Sequence, residues 1–278
     1  MASYSRQPEI TMQDVDGVML RTAYWPGSDG GELPLVFFNG IGANLELTLA
    51  LGDMFPDRAI LTFDVPGVGL SPVTQWPYRH WMAARWARKL SDRLGFGSVD
   101  VMGVSWGGAL AQQFAFQYRN RVNKLILCAT SSGMTMIPGR PASLSKMVDT
   151  RRYTDPDFMR ENFAKLYGDA ADESAGDHIH GLRPPDPKGY FYQLLAFAGW
   201  SSLPFIRFLK MPTLVMMGDK DPVVPLVNGQ ILTWALPDAR LHVVEGGGHL
   251  FIVTRAAETA SVINSFLGER AGNAAQAA

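Results

Sequence analysis

The chain has 278 residues, 47% of them hydrophobic and 18% charged, with a formal net charge of −1. That balance supports a sizeable packed core, excludes a disordered chain, and offers nothing to nucleic acid or to an anionic membrane surface. The single Cys128 cannot form an internal disulfide, no run of 18 apolar residues appears and the first residues lack a signal-peptide core, so a soluble cytoplasmic protein is expected.

Residues 9–25 alternate around Asp16-Gly17, which predicts an antiparallel hairpin. Residues 33–38 predict a buried strand ending in the loop Asn39-Gly40-Ile41-Gly42-Ala43-Asn44, with a helix over 45–55. Another strand over 58–63 leads into Asp64-Val65-Pro66-Gly67-Val68-Gly69, where the two glycines shape a turn and do not make a dinucleotide fingerprint. Met82, Trp86, Leu90 and Leu94 recur every four residues and predict a helix over 79–94 with those side chains in the core. A strand over 98–104, a helix over 106–121 and a strand over 123–129 follow, the last carrying Cys128 as a buried thiol. This alternation predicts an α/β class fold, a mostly parallel central sheet with helices on both faces.

Between Thr130 and Lys210 the rhythm breaks into helical patterns over 142–151, 155–168 and 188–198, separated by Pro-, Gly- and Asp-rich turns. It resumes with strands over 212–217 and 240–244 and a helix over 255–268, before an Ala/Asn/Gln-rich tail from Gly272 that is expected to fray. The organisation expected is a core domain made of 1–130 and 211–278, with 131–210 as a helical cap insertion over the sheet's C-terminal edge, where ligands bind in such folds.

The run Gly103-Val104-Ser105-Trp106-Gly107 joins a predicted strand to a predicted helix. Flanking glycines relieve the crowding of a sharp strand-to-helix turn, which would hold the Ser105 hydroxyl exposed beside a helix N-terminus, as a nucleophile elbow does. A serine needs a base, and the base needs an orienting group. His249, after Gly246-Gly247-Gly248, supplies the base in a loop free to approach closely. Asp219 and Asp221 compete for the acid role; Asp219 reads as a turn-capping residue and Asp221, held before Pro222, as the catalytic one. Backbone N–H groups of Trp106 and Ile41 are the expected oxyanion donors. His80, His178, His180 and His242 read as structural or solvated. No metal-ligand spacing or phosphate loop appears, so no cofactor is expected. The apolar stretch Tyr190 to Trp200 could present Phe197 and Trp200 to an acyl substrate, or bury both faces as core.

These residues resemble the α/β-hydrolase superfamily and, within it, the intracellular medium-chain-length poly(3-hydroxyalkanoate) depolymerases of bacteria. The resemblance is carried by Phe38-Asn-Gly-Ile-Gly-Ala-Asn44 through Leu47, Phe63-Asp-Val-Pro-Gly-Val-Gly69, and Gly103 through Ala115. Arg151-Arg-Tyr153, Gly189 through Trp200 and Gly247-Gly-His-Leu-Phe251 extend it into the cap and the C-terminus. It places the family's triad on Ser105, Asp221 and His249 and implies hydrolysis of a hydrophobic polyester, with the storage-granule surface as a partner. Leu70 and the stretch 168–186 depart from the family's pattern. A small-ester or C–C bond hydrolase of the same fold remains the second reading, and a ligand sensor with slow turnover the third, since fold and triad do not fix substrate. Haloalkane dehalogenation is excluded, because Ser105 stands where that chemistry needs a carboxylate.

Overall fold

Asp16 and Gly17 both take positive φ, 58° and 78°, in the two-residue turn between β1 (Glu9–Val15) and β2 (Val18–Trp25). A primed turn of this kind matches the right-handed twist of the strands it joins, so the hairpin forms where the sequence places it. In the computed structural model, which describes residues 4–28, 32–147, 149, 151, 155–168 and 181–269, β2 then pairs antiparallel with β4 (Ile60–Phe63). The remaining pairings run parallel through β3 (Leu35–Phe38), β5 (Val99–Val104), β6 (Val122–Cys128), β7 (Thr213–Gly218) and β8 (Ala239–Val244). The eight strands lie in the order β1-β2-β4-β3-β5-β6-β7-β8.

Successive side chains of a strand face opposite sides of the sheet, and the central strands bury both. Val36, Phe38 and Val101 face one core, with Trp86 and Leu90 of α2 (His80–Arg93) and Leu110 and Phe114 of α3 (Trp106–Gln117). Phe37, Met102, Val104 and Cys128 face the other, with Leu51 of the short α1 (Leu51–Met54) and C-terminal residues such as Phe251 and Ile263. Burial pushes the Cys128 thiol well above its ordinary pKa, which leaves it inert. The stripe expected on α2 holds at Trp86 and Leu90 and loosens at its end, since the helix stops at Arg93 and Leu94 is exposed.

Between β6 and β7 lie α4 (Pro141–Met147), α5 (Pro156–Tyr167) and α6 (Pro187–Phe197). Asp155 and Asp186 cap the last two, each accepting two backbone N–H groups of the first turn, and a proline follows each cap. The expected helix over 142–151 is seen as α4 over Pro141–Met147 and is absent at Asp149, and residues 148 and 150 lie outside the described set, as do Arg152, Tyr153, His178, His180 and the tail from 270. The expected 45–55 helix is a 3₁₀ turn, Leu45–Thr48, followed by α1. Sequence spacing passes over α7 (Leu226–Ala235), because Asn228-Gly229, an ordinary turn pair, sits in its first turn. There a Cβ on Gly229 would lie 2.2 Å from the Met217 side chain, so glycine lets α7 press onto β7. The chain closes with α8 (Phe251–Thr254) and α9 (Ala256–Gly268). No helix among the described residues is long and apolar enough to cross a membrane.

The C-terminal end of α6 docks on the start of α2 through polar groups. Arg79 donates to the carbonyls of Leu195 and Ala198, and His80 Nδ1–H donates to Ala196 O at 2.9 Å. Cations and donors belong at this end of a helix, where carbonyls lack partners. The His80 ring lies fully buried between Trp106 and Trp200, at centroid distances of 4.6 and 5.0 Å, and its Nε2 has no hydrogen-bond partner among the described residues. Burial is the main reason its pKa is pushed down to about 3, with the Arg79 charge acting in the same direction. The unfolded chain therefore binds a proton that the folded chain refuses between about pH 6.5 and pH 3. This contribution to stability is complete above about pH 6.5 and is lost as the pH falls towards 3. Chemical denaturation from pH 7 to pH 4 should show a smaller loss of unfolding free energy in His80→Phe than in the wild type. The slopes should differ by up to about 1.4 kcal/mol per pH unit, and equal slopes would place the acid lability elsewhere.

Candidate active site

Ser105 sits between β5 and α3 at φ 54°, ψ −119°, a left-handed conformation rare outside glycine. The surroundings over-determine it. Its N–H donates to Cys128 O at 2.9 Å, and its carbonyl accepts from Gly108 N–H at 2.9 Å and Thr130 Oγ1 at 2.7 Å. A Cβ on Gly107 would come within 2.1 Å of Phe38 O, and one on Gly103 within 2.2 Å of Gly107 O, so larger residues would push helix and strands apart. Strain of this kind, on the order of 1–3 kcal/mol, persists only where packing holds it.

The last two parallel strands deliver the partners. Asp221 follows β7, and its Oδ1 accepts the N–H groups of Val223 and Val224 at 2.8 and 2.9 Å. Those two bonds fix the carboxylate so that Oδ2 accepts from His249 Nδ1–H at 2.7 Å. With Nδ1 the donor to a carboxylate, the neutral ring has a bare Nε2, 3.0 Å from Ser105 Oγ. The Asp221 side chain is fully buried and that of His249 only 3% exposed, so their bond lies out of water. His249 N–H donates to Tyr167 O at 2.5 Å, which ties the histidine loop to the end of α5. Asp219 points elsewhere: its Oδ1 accepts Gly246 N–H at 2.7 Å and closes the turn that precedes the histidine.

The loop after β3 passes beside the serine. A Cβ on Gly40 would lie 3.8 Å from Ser105 Cβ, and Ile41 lines the same cavity as Ser105 and His249. Trp106 opens α3, and first-turn N–H groups have no partner within the helix. Asp64 lies under this loop, with Oδ1 accepting Leu45 N–H at 2.8 Å. Burial outweighs the nearby Arg21 and raises its pKa to about 7.

A cavity of about 300 Å³ leads away from Ser105. Leu47, Leu51 and Met54 line one side, Leu250, Ile252 and Val253 another, and Met147 and Leu182 belong to the segment between β6 and β7. The lining is mostly apolar, so an alkyl chain entering it leaves water.

A model of the alpha/beta hydrolase fold matches residues 34–186 and 181–256. The chain belongs to this family. It is 43% identical over 258 residues, 91% of its own length and 90% of the relative's, to a poly(3-hydroxyalkanoate) depolymerase from Ectopseudomonas oleovorans. It is 29% identical over 224 residues, 77% and 78% of the two lengths, to a 2-hydroxy-6-oxo-6-phenylhexa-2,4-dienoate hydrolase from Comamonas testosteroni. Among solved structures, an esterase from Exiguobacterium antarcticum has a TM-score of 0.79 at 19% identity, over 95% of this chain and 100% of that one. A hydrolase from Pseudomonas aeruginosa has a TM-score of 0.77 at 21% identity, over 94% and 98%. At those identities the likeness is one of fold. The kinship in sequence makes this α/β hydrolase an ester hydrolase.

Two expected residues of this hydrolase lie elsewhere. Phe197 and Trp200 do not line the cavity at Ser105. Both rings pack on His80, and Trp200 Nε1–H donates to Gln113 Oε1 at 2.7 Å. Their expected role as substrate contacts is corrected to packing between α6 and the helices beside it. Apart from Met147 and Leu182, many of the apolar side chains that do face the cavity come from α1, α8 and the loops before them, short elements with no periodic stripe to mark them. Gln193 of α6 was also missed: its Oε1 accepts Gly42 N–H at 2.9 Å. Nothing local distinguishes that glutamine, since its partner is 151 residues away.

The two aspartates separate cleanly by experiment. Asp219→Ala should lower unfolding free energy by about 1 kcal/mol, one turn-closing hydrogen bond, and keep ester turnover. Asp221→Asn should lose turnover, and the reverse result would exchange their roles.

Proposed function

We propose that the protein hydrolyses ester bonds of oligo- and poly(3-hydroxyalkanoates) carrying medium-length alkyl side chains, through an acyl-enzyme on Ser105. The reading is carried by the position of Ser105, with His249 at 3.0 Å, at the mouth of an apolar cavity, and supported by the kinship with a depolymerase. Ser105 Oγ attacks the ester carbonyl while His249 Nε2 takes its proton, and Asp221 stabilises the imidazolium that forms. The N–H groups of Trp106 and Ile41 hold the tetrahedral oxyanion. Collapse breaks the C–O bond while the imidazolium of His249 gives its proton to the departing alkoxide oxygen, releasing an alcohol. Water, deprotonated by His249, then attacks the acyl-enzyme in the same way to free the 3-hydroxy acid and return the proton to Ser105. The segment 131–210 acts as the cap. The polymer reaches the site from the surface of a storage granule in the cytoplasm.

Ser105→Ala, His249→Ala and Asp221→Asn should each lower kcat by roughly 10³-fold or more on p-nitrophenyl octanoate, because triad members act as a unit. A fluorophosphonate should label the wild type at Ser105 and leave Ser105→Ala unlabelled. Unimpaired turnover in Ser105→Ala would overturn the mechanism.

Chain length tests the cavity. Each buried CH₂ is worth about 0.8 kcal/mol, so lengthening the acyl group from four to eight carbons should raise kcat/KM by up to roughly a hundredfold. Val253→Trp, which fills the channel, should flatten that rise and spare acetate esters. Release of 3-hydroxy acids from medium-chain polymer should accompany the preference for long chains. A preference for acetate with no release from polymer would move the assignment to small esters.

A further inference from the structure

Besides the bond from His249 N–H to Tyr167 O, the cap reaches the machinery through one buried residue with two bonds. Gln193, 1% exposed, lies in the middle of α6. Its side-chain Oε1 accepts Gly42 N–H at 2.9 Å, and its main-chain oxygen accepts the indole Nε1–H of Trp106 at 3.0 Å. Gly42 is next to Ile41 and Trp106 is next to Ser105, so one cap residue grips both segments that carry the oxyanion donors. Within the Asn39–Asn44 loop, Gly40 N–H donates to Asn39 Oδ1 at 2.9 Å. Ala43 N–H closes a turn on Gly40 O at 3.2 Å, Asn39 Nδ2 reaches Asn44 O at 3.3 Å, and Gly42 takes a positive φ of 68°. A second clamp joins cap and loop at Asn44, which donates to Gly181 O and accepts from Arg183 N–H, both at 3.0 Å.

We infer that Gln193 is a positioning residue through which the seated cap completes the oxyanion hole. It touches no reacting atom. Its effect falls on the transition state, because charge on the carbonyl oxygen develops only there and a ground-state ester gains little from the hole. A donor displaced by about 1 Å can lose on the order of 10²-fold in rate. When α6 lifts, Gly42 loses its acceptor and the indole loses its own, so a lifted cap would leave the serine with a slack hole. The inference rests on the hydrolase reading of Ser105 and adds a role for the cap within it.

The test uses the full chain with p-nitrophenyl butyrate, and an alkyl boronic acid that forms a tetrahedral adduct with the serine. Gln193→Met keeps length and removes the acceptor; Gln193→Glu keeps both. In Gln193→Met kcat should fall roughly 10- to 100-fold with KM within about twofold, and the boronate should bind more weakly by the same factor as kcat/KM falls. Gln193→Glu should recover kcat to within about fivefold of wild type, as an acceptor to Gly42 returns. If Gln193→Met does not reach the wild-type far-ultraviolet spectrum, Gln193→Asn, one carbon too short to reach Gly42, carries the same expectation. Wild-type kcat in the Met or Asn variant would overturn the inference, as would a loss in which KM rises and boronate affinity stays put. An inactive wild type that fluorophosphonate does not label would instead overturn the hydrolase reading, and this inference with it.

Discussion

The left-handed turn at Ser105 is the constraint on which the site depends. A non-glycine residue at φ 54° is unfavourable by itself, and here it is held by three hydrogen bonds and by two glycines through which strand, helix and the β3 end approach. That approach carries the Asn39–Asn44 loop to the serine. Parallel pairing of β5 with β6, β6 with β7 and β7 with β8 then brings the loops after β7 and β8 to the same end of the sheet. Residues at positions 105, 221 and 249 meet there because each follows the C-terminal end of a parallel strand.

The strands and the elbow were legible in sequence because their signals are local. Gly103-x-Ser105-x-Gly107 records a crowding problem that any chain making this turn must solve, and Asp16-Gly17 records a hairpin turn in the same way. The choice of Asp221 over Asp219 could also be argued locally. An aspartate directly after Gly218 is well placed to close a turn, and Asp219 does so onto Gly246.

Long-range polar contacts were not legible. Gln193 is an unremarkable glutamine in an apolar helix, and His80 opens a helix as many polar residues do. Each acquires meaning from a partner more than 100 positions away. The same holds for Phe197 and Trp200. Aromatic content marks a segment as buried, but whether a ring faces a cavity or a neighbouring helix depends on the rotation of α6. Here that rotation is set by the grip of Arg79 and His80 on its last carbonyls. The channel escaped notice for a different reason: α1 and α8 are four residues each, too short to display a face.

The two kinds of work at this site fall on different elements. Side chains of α1, α8 and the neighbouring loops, with Met147 and Leu182, form the apolar channel, while α6 contributes none of the residues lining it and instead grips the loop beside Ser105 and the indole after it. On the proposed reading, a change at Ile252 or Val253 alters how much alkyl chain is buried, and leaves the bonds of Gln193 untouched. On the inference drawn for Gln193, a change there alters the response to developing charge and leaves the channel walls as they are. Sites more than about 7–10 Å apart with no shared partner tend to act additively, whereas residues in one hydrogen-bond network do not. The proposed mechanism thus lets acyl selectivity drift within this scaffold without disturbing the oxyanion geometry, which fits a fold that hosts many substrates.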